Sequence, residues 1–490
     1  IVRGEEFIRE AERISHDKPI LLMKSGDTGA GSAAASSHTG RLAETQRAYK
    51  IVFERAGIIP CPSVTAQFDY ARALTHQPLP AGPGVAVIAN AGGAGIMAAD
   101  AAERHGLTMA AFTEATTARL QEALPPAANT HNPVDVLGDA LAERFEGALA
   151  AVLDDDNVHA AVVLLTPHAV TQCKETAEAV VRVSRLRGDK PILASFIGAA
   201  LVAEARQVLR EGHVPYYDSP EFALGTLQVM WDHARWRNRP KRVVKLFSVN
   251  RRKVEKILQR HLRARDFEIG EMEAKDVLEA YGFRTPQSLL ATDAEQAANF
   301  AEQIGYPVVL KIWSPDIVHK AEVGGVRSGC STAQEVRDAF DLMMYRVPKR
   351  APEAKVLGVL VEEMCTMGTE VILGMKRDPH YGPLMMFGTG GVLVELLRDV
   401  AFYLAPLTGD EAREMLRNTR TYQLLQGGAD REGVDIDEIA EGLQRLSQLV
   451  TEFPQIQEMD INPYVVAPAG ATPVAVDARI VVAETEGGSS

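Results

Sequence analysis

Four places along this chain of 490 residues combine residue types that could do chemistry. The first is His38, in Ser36-Ser-His-Thr-Gly40, at the end of a Gly/Ser/Ala-rich loop and just before a helix pattern. A helix N-terminus offers unpaired N–H groups to an anion. Neutral imidazole is a good nucleophile near neutral pH, so a histidine placed there could accept a phosphoryl group. The plain alternative is a polar surface residue.

The second is Lys311-Ile-Trp-Ser-Pro-Asp-Ile-Val-His-Lys-Ala-Glu-Val-Gly-Gly-Val326. Lys311 lies inside an apolar strand pattern, and a lysine on the buried side needs an anionic partner such as phosphate or a carboxylate. The loop carries His319 and ends in Gly324 and Gly325, whose backbone amides could approach phosphates closely. The third is Val359-Leu-Val-Glu-Glu-Met364, an apolar strand ending in Glu362 and Glu363, with Glu370 opening the next strand. Such a strand could act as a hinge bonding a nucleotide base and ribose, or simply run into a solvated turn. The fourth is Glu458-Met-Asp-Ile-Asn-Pro463 with Val474-Ala-Val-Asp477. Asp460 and Asn462 share one strand face by period-2 alternation. With Asp477 they offer the oxygen ligands that Mg²⁺ uses alongside phosphate and water. Asx capping of a turn is the alternative.

Three blocks must position these residues. The first has a strand pattern at 19–23, the loop 25–40, and a helix pattern from Leu42 to Ala56 that stops at Gly57. The second opens after a Pro/Gly stretch. Apolar runs at 85–89, 160–165 and 191–196 alternate with helix patterns at 140–153, 173–186 and 199–209, which predicts a parallel α/β sheet. Residues 235–265 then hold 13 Lys/Arg and one acid, Glu255. This stretch reads as a connector that becomes a helix and docks on an acidic surface. It lacks the interleaved aromatics of a nucleic-acid site. The third block is mixed α/β. It has a helix around Ala274, Val277, Leu278 and Tyr281, and strands near 308–312, 356–362, 370–374, 385–388, 461–466 and 474–476.

Composition narrows the function class. A net charge of −13 disfavours general binding of nucleic acid or anionic membrane. Apolar content of 46% excludes disorder over most of the length. The four scattered cysteines suggest neither a zinc site nor a disulfide framework and fit a reducing cytoplasm. No apolar run approaches the ~20 residues of a membrane span.

Taken together, the motifs resemble the NDP-forming acyl-CoA synthetases, the ADP-forming acetate–CoA ligase family related to succinyl-CoA ligase. Residues 268–490 resemble its ATP-grasp domain through Tyr306-Pro-Val-Val-Leu-Lys-Ile, Ser314-Pro-Asp-Ile-Val-His-Lys, Val323-Gly-Gly-Val, Gly374-Met-Lys-Arg-Asp-Pro, Phe387-Gly-Thr-Gly-Gly and Met459-Asp-Ile-Asn-Pro. Residues 1–77 resemble the C-terminal part of the phosphohistidine-bearing ligase-CoA domain, through Lys24-Ser-Gly and Ala35-Ser-Ser-His-Thr-Gly40. Residues 78–230 resemble a flavodoxin-like domain through Asn90-Ala-Gly-Gly and Asn132-Pro-Val-Asp-Val-Leu-Gly, and residues 231–267 form the basic linker. The expected architecture is a multidomain α/β protein, with flavodoxin-like, succinyl-CoA-synthetase-like domains followed by an ATP-grasp domain.

The resemblance implies a reaction and its parts. Carboxylate, CoA and ATP would interconvert with acyl-CoA, ADP and phosphate. His38 would be the active-site phosphohistidine, and His319 a second one that exchanges phosphate with nucleotide. Asp460 would orient His319. Lys311, Gly324, Gly325, Glu362, Glu363 and Glu370 would bind nucleotide, and Asn462 and Asp477 would hold Mg²⁺. Family members carry a CoA-binding Rossmann domain ahead of these blocks, so a chain some 200 residues longer is expected, roughly a domain and a half. The expected partners are a small carboxylic acid, CoA and nucleotide, with no nucleic acid and no membrane, in a cytoplasmic homodimer or higher homo-oligomer. A regulatory module that senses acyl-CoA or nucleotide, in a protein-acetyltransferase-like system, is the alternative from another class.

Overall fold

The computed structural model describes residues 3–25, 44–317, 320–365, 368–390, 399–428, 432–468 and 471–484. The chain divides into two units, residues 6–241 and residues 1–5 with 242–490. Among the described residues, no helix is long and apolar enough to cross a membrane. All four cysteines are free thiols.

In the first unit, β1 (Ile20–Leu22) pairs in parallel with β2 (Ile58–Pro60). The helix Glu44–Ala56 precedes β2, and Gly57 follows it with φ +66°. A Cβ on Gly57 would lie 2.5 Å from the Trp236 ring, which itself packs against His16 in a tilted pair with centroids 4.7 Å apart. Both the left-handed backbone and the close approach demand glycine here. Gly57→Ala is therefore expected to destabilise this unit by about 2–4 kcal/mol. A thermal melt checks it, and an unchanged midpoint would contradict the packing described.

The main sheet of this unit comprises β3 (Gly84–Ala89), β4 (Thr108–Met109), β5 (Val134–Asp135), β6 (Ala160–Leu165), β7 (Ile192–Phe196) and β8 (Tyr216–Tyr217). Its order is β4-β3-β6-β7-β8, all parallel, with β5 beside β3. Strands β3, β6 and β7 are buried along their whole length, as unbroken apolar runs require when helices cover both faces. Helices Gly92–Arg104 and Pro220–Arg237 cover one face. Helices Ala142–Leu153, Cys173–Leu186 and Ala203–Glu211 cover the other. Two asparagines bind strands together through their side chains. The Asn90 amide donates to the Thr166 carbonyl, and Asn90 Oδ1 accepts from the Thr166 N–H, both at 2.8 Å. Asn132 accepts from the Val87 N–H at 3.0 Å and donates to the Val85 and Ala110 carbonyls.

The basic stretch is more ordered than a linker over 231–267. Helix Pro220–Arg237 runs through its start, with Met230, His233 and Ala234 buried. Helix Arg251–Ala264 occupies its second half. Between them, Arg242 bonds both carboxylate oxygens of Glu411 at 2.8 and 2.7 Å, and Lys245 bonds Glu441 at 2.9 Å. The stretch docks on carboxylates, as its charge led one to expect.

The second unit contains two further sheets. One is antiparallel, in the order β10 (Ser288–Ala291), β13 (Gly358–Glu363), β11 (Val308–Trp313), β12 (Val326–Cys330). The other runs β16 (Val400–Leu404), β15 (Gly382–Thr389), β14 (Thr369–Asp378), β17 (Ile456–Val466), β19 (Ala478–Val482), β9 (Glu268–Ile269), with β18 (Val474–Ala475) on β17. Helix Ile436–Glu452 lays Ile439, Leu443, Leu446 and Val450 into the same core as Val371, Leu373, Met459 and Ile461. Arg377 reaches the C-terminal end of that helix, donating to the Val450 carbonyl at 2.6 Å and, beyond it, to the Ile456 carbonyl at 2.9 Å.

Candidate active site

Strand β11 alternates. Val308, Leu310 and Ile312 sit in a core with the helices Ala294–Ile304 and Ala333–Arg350, so Lys311 leaves the sheet on the opposite face. In β13, Val359 and Val361 join that core, and Glu362 faces the other way. The register pairs Lys311 with Leu360 and Val309 with Glu362, which makes Lys311 and Glu362 diagonal neighbours on one face.

Around them a buried ionic cluster closes. Lys311 Nζ lies 2.7 Å from Glu362 Oε2 and donates to Glu271 Oε1 at 2.7 Å. Lys275 Nζ donates to the same Glu271 oxygen at 2.9 Å and to Glu362 Oε1 at 2.6 Å. Lys320, from the loop between β11 and β12, takes the other Glu271 oxygen. The Ser288 hydroxyl donates to Glu362 at 2.7 Å. Glu271 and Lys275 come from one face of the helix Glu271–Ala280, a single turn apart.

Burial alone would raise the Glu271 carboxyl, but Lys311, Lys275 and Lys320 outweigh it and hold it well below the usual carboxylate range. Burial would likewise lower Lys311. Glu362 and Glu271, helped by Asp477, instead hold it above the ordinary lysine value. Among the described residues, Lys311 and Lys275 each spend two of three N–H donors on carboxylates and Lys320 spends one. Donors remain to grip an oxyanion.

Asp477 and Asn462 stand opposite one another where β17 meets the start of β19. Ile461 pairs with Ala478, and the Asn462 N–H donates to the Asp477 carbonyl at 3.1 Å. Burial and Glu271 raise the Asp477 carboxyl, against the pull of the three lysines. Two oxygen donors side by side near a lysine cluster suit Mg²⁺, which completes its shell with phosphate and water. Among the described residues, no set of three or more His, Cys, Asp or Glu could hold a metal by itself.

Comparison with known proteins finds matches along most of the chain. Residues 260–482 match the ATP-grasp domain family, residues 1–74 the succinyl-CoA ligase like flavodoxin domain, and residues 85–240 the Ligase-CoA domain. An acetate–CoA ligase [ADP-forming] I of Archaeoglobus fulgidus is 40% identical over 483 residues, covering 98% of this chain and 68% of its own length. The chain belongs to the ADP-forming acetate–CoA ligase family. A 4-hydroxybutyrate–CoA ligase [ADP-forming] of Nitrosopumilus maritimus is 38% identical over 480 residues, 97% of this chain and 68% of that one. A solved chain of a Ca. Korarchaeum cryptofilum acetyl-coenzyme A synthetase in complex with coenzyme A is 40% identical, with a TM-score of 0.45, and covers 47% of this chain and 99% of its own. The two N-terminal family names fall in the reverse of the expected order: the flavodoxin name lies on the block with His38, the Ligase-CoA name on the parallel sheet.

His38 and His319 lie outside the described residues. Gly324 and Gly325 donate their N–H groups to the Ala321 and Lys320 carbonyls at 3.0 and 2.7 Å, so these amides close the loop rather than cradle a phosphate. A Cβ on Gly325 would lie 2.4 Å from Ile312, which explains the glycine by packing. Both oxygens of Glu362, expected along the nucleotide hinge, serve the lysines: Oε1 pairs with Lys275 and Oε2 with Lys311. Glu363 pairs with Arg284 at 2.9 Å. Glu370 is exposed in β14, its carbonyl accepting from the Gly390 N–H.

Asp460 lies between Gly374 and Arg479 in the sheet register. Burial and Glu458 push its carboxyl up to about 6, against the pull of Arg479. A Cβ on Gly374 would come within 2.9 Å of Asp460 Oδ1, so the glycine leaves room for the carboxylate. Sequence reading missed Glu271, Lys275 and Lys320. The usable signal for the first two was an ion pair spaced i, i+4 on the face of a helix whose neighbours Ala274 and Leu278 are buried.

Proposed function

We propose that this chain interconverts carboxylate, CoA and ATP with acyl-CoA, ADP and phosphate, through an acyl phosphate and two phosphohistidines. The observation that carries the reading is the cluster of Lys275, Lys311 and Lys320 set against Asp477 and Asn462. Membership of the ADP-forming ligase family supports it. The three lysines bind the nucleotide phosphates, with Glu363 and Glu370 further along the nucleotide. Asn462 and Asp477 hold Mg²⁺, which when bound neutralises phosphate charge.

In the relay, a nitrogen of His319 takes the γ-phosphoryl group as the bond to ADP breaks. Asp460 orients that imidazole. The phosphoryl group passes to His38, then to the carboxylate as an acyl phosphate. The CoA thiolate displaces inorganic phosphate from this intermediate to give acyl-CoA. In-line transfer requires reacting atoms about 3 Å apart, so two histidines on separate segments are the economical way to connect two sites. Relatives named for acetate and 4-hydroxybutyrate support a small aliphatic acid as substrate.

The test is the product set. The full chain, given acyl-CoA, ADP and phosphate, is expected to release CoA and form ATP in equal amounts. Formation from ATP of AMP and diphosphate would overturn the reading. Tight acyl-CoA binding with no turnover would favour a sensor instead.

A further inference from the structure

We infer that Glu271 makes the nucleotide site electrically neutral, and so makes nucleotide affinity depend on a bound divalent cation. The inference rests on the nucleotide reading of this site and concerns a residue to which that reading gave no role.

The charged groups that face one another here are Lys275, Lys311 and Lys320 against Glu271, Glu362 and Asp477. They sum to zero. Most phosphate sites built from three lysines would be strongly cationic, but this one is not. Glu271 is the hub of the cancellation. One of its oxygens takes Lys275 and Lys311, and the other takes Lys320. Its residue is 5% exposed, so water screens it little.

A nucleoside diphosphate brings about three negative charges. Entering a neutral, mostly buried site, it loses hydration without a compensating net attraction. A divalent cation held with it at Asn462 and Asp477 cancels most of that charge. Glu271 therefore selects the metal complex over the free nucleotide. Replacing Glu271 by glutamine leaves the cluster at +1, because Glu362 still serves Lys275 and Lys311 and keeps them charged. Metal-free nucleotide then gains most.

The experiment measures ADP affinity by calorimetry on the full chain at neutral pH, with excess Mg²⁺ and with EDTA. Wild type is expected to bind ADP far more weakly in EDTA. In Glu271→Gln that ratio of affinities should shrink by about tenfold or more, the effect of one unit charge several ångströms away at partial burial. Glu271→Asp keeps the charge and should keep the wild-type ratio. A merely structural role would move both variants alike, and that result would overturn the inference. So would an unchanged ratio in Glu271→Gln. If Glu271→Gln does not fold, Glu362→Gln carries the same test, since its carboxylate neutralises two of the same lysines; it should shrink the ratio likewise. Failure of wild type to bind ADP even with Mg²⁺ would sink the nucleotide reading and this inference with it. Normal Mg-dependent binding with unaltered ratios sinks only the role of Glu271.

Discussion

Lys311→Met is expected to abolish useful nucleotide binding and to soften the ATP-grasp unit at the same time. Lys311 holds Glu271 and Glu362 from the centre of β11, and it still has an N–H to offer a phosphate. Losing a charge-assisted bond to phosphate costs roughly 1.5–3 kcal/mol, and loss of the long-range attraction adds to it, so ADP affinity should fall about 100-fold. Breaking a buried ion pair by removing one partner costs about 3–5 kcal/mol. For a unit of this size that corresponds to a melting midpoint lower by roughly 10 °C. Calorimetric titration and differential scanning calorimetry measure the two effects separately.

The pH window follows from the shifts. Glu271 is depressed, so its contribution is present above the ordinary glutamate value of about 4.3 and is lost as pH falls through the folded value. Lys311 is raised, so its contribution is present below about 10.4 and is lost as pH rises through the folded value. The stability difference between variant and wild type should therefore be flat across neutral pH. A variant that melted and bound ADP like wild type would remove the cluster from the nucleotide site.

The two histidines should fail in opposite directions. With γ-labelled ATP, His319→Ala is expected to take up no acid-labile, base-stable label. His38→Ala should label normally, because in the proposed relay His319 is the first acceptor from the nucleotide. With acyl-CoA and labelled phosphate the order reverses: His38→Ala takes up nothing and His319→Ala is labelled. Net acyl-CoA formation should fall by roughly 10³-fold or more in either variant, as when one member of a unit acting together is removed. Labelling of His319→Ala from ATP would end the relay as drawn. Direct transfer through His38 alone would then be the better account.

Much of this site was legible because a charge inside an apolar strand is expensive and therefore conspicuous. Lys311 stands out among Val308, Leu310 and Ile312, as do Asn462 within β17 and Asp477 just before β19. The parallel sheet of the first unit was legible for the same reason, since β3, β6 and β7 are runs with no polar face to hide. Strand β12, Val-Arg-Ser-Gly-Cys, was not legible, because it is largely exposed and has neither alternation nor an apolar run. The basic stretch shows the limit of composition. Its charge pointed to carboxylate partners, but nothing local named Glu411 or Glu441, some 170 and 200 residues away.

The amino-acid pattern by itself determined the apolar strands β3, β6, β7 and β11, many of the helices, and several of the chemically capable side chains. It did so because periodicity and the cost of burying charge act over a few residues. Only the tertiary structure decided what those side chains hold. Glu362 reads along the chain as a hinge acid, and Gly324 and Gly325 read as a phosphate cradle. Strand register turns Glu362 into a partner of two lysines, and loop closure consumes the two glycine amides. Glu271 looks like an ordinary first-turn glutamate until β11 and the loop after it bring Lys311 and Lys320 to its two oxygens. Pairing energies of this kind depend on faces and registers that meet across 40 to 200 residues, and no local spacing encodes them.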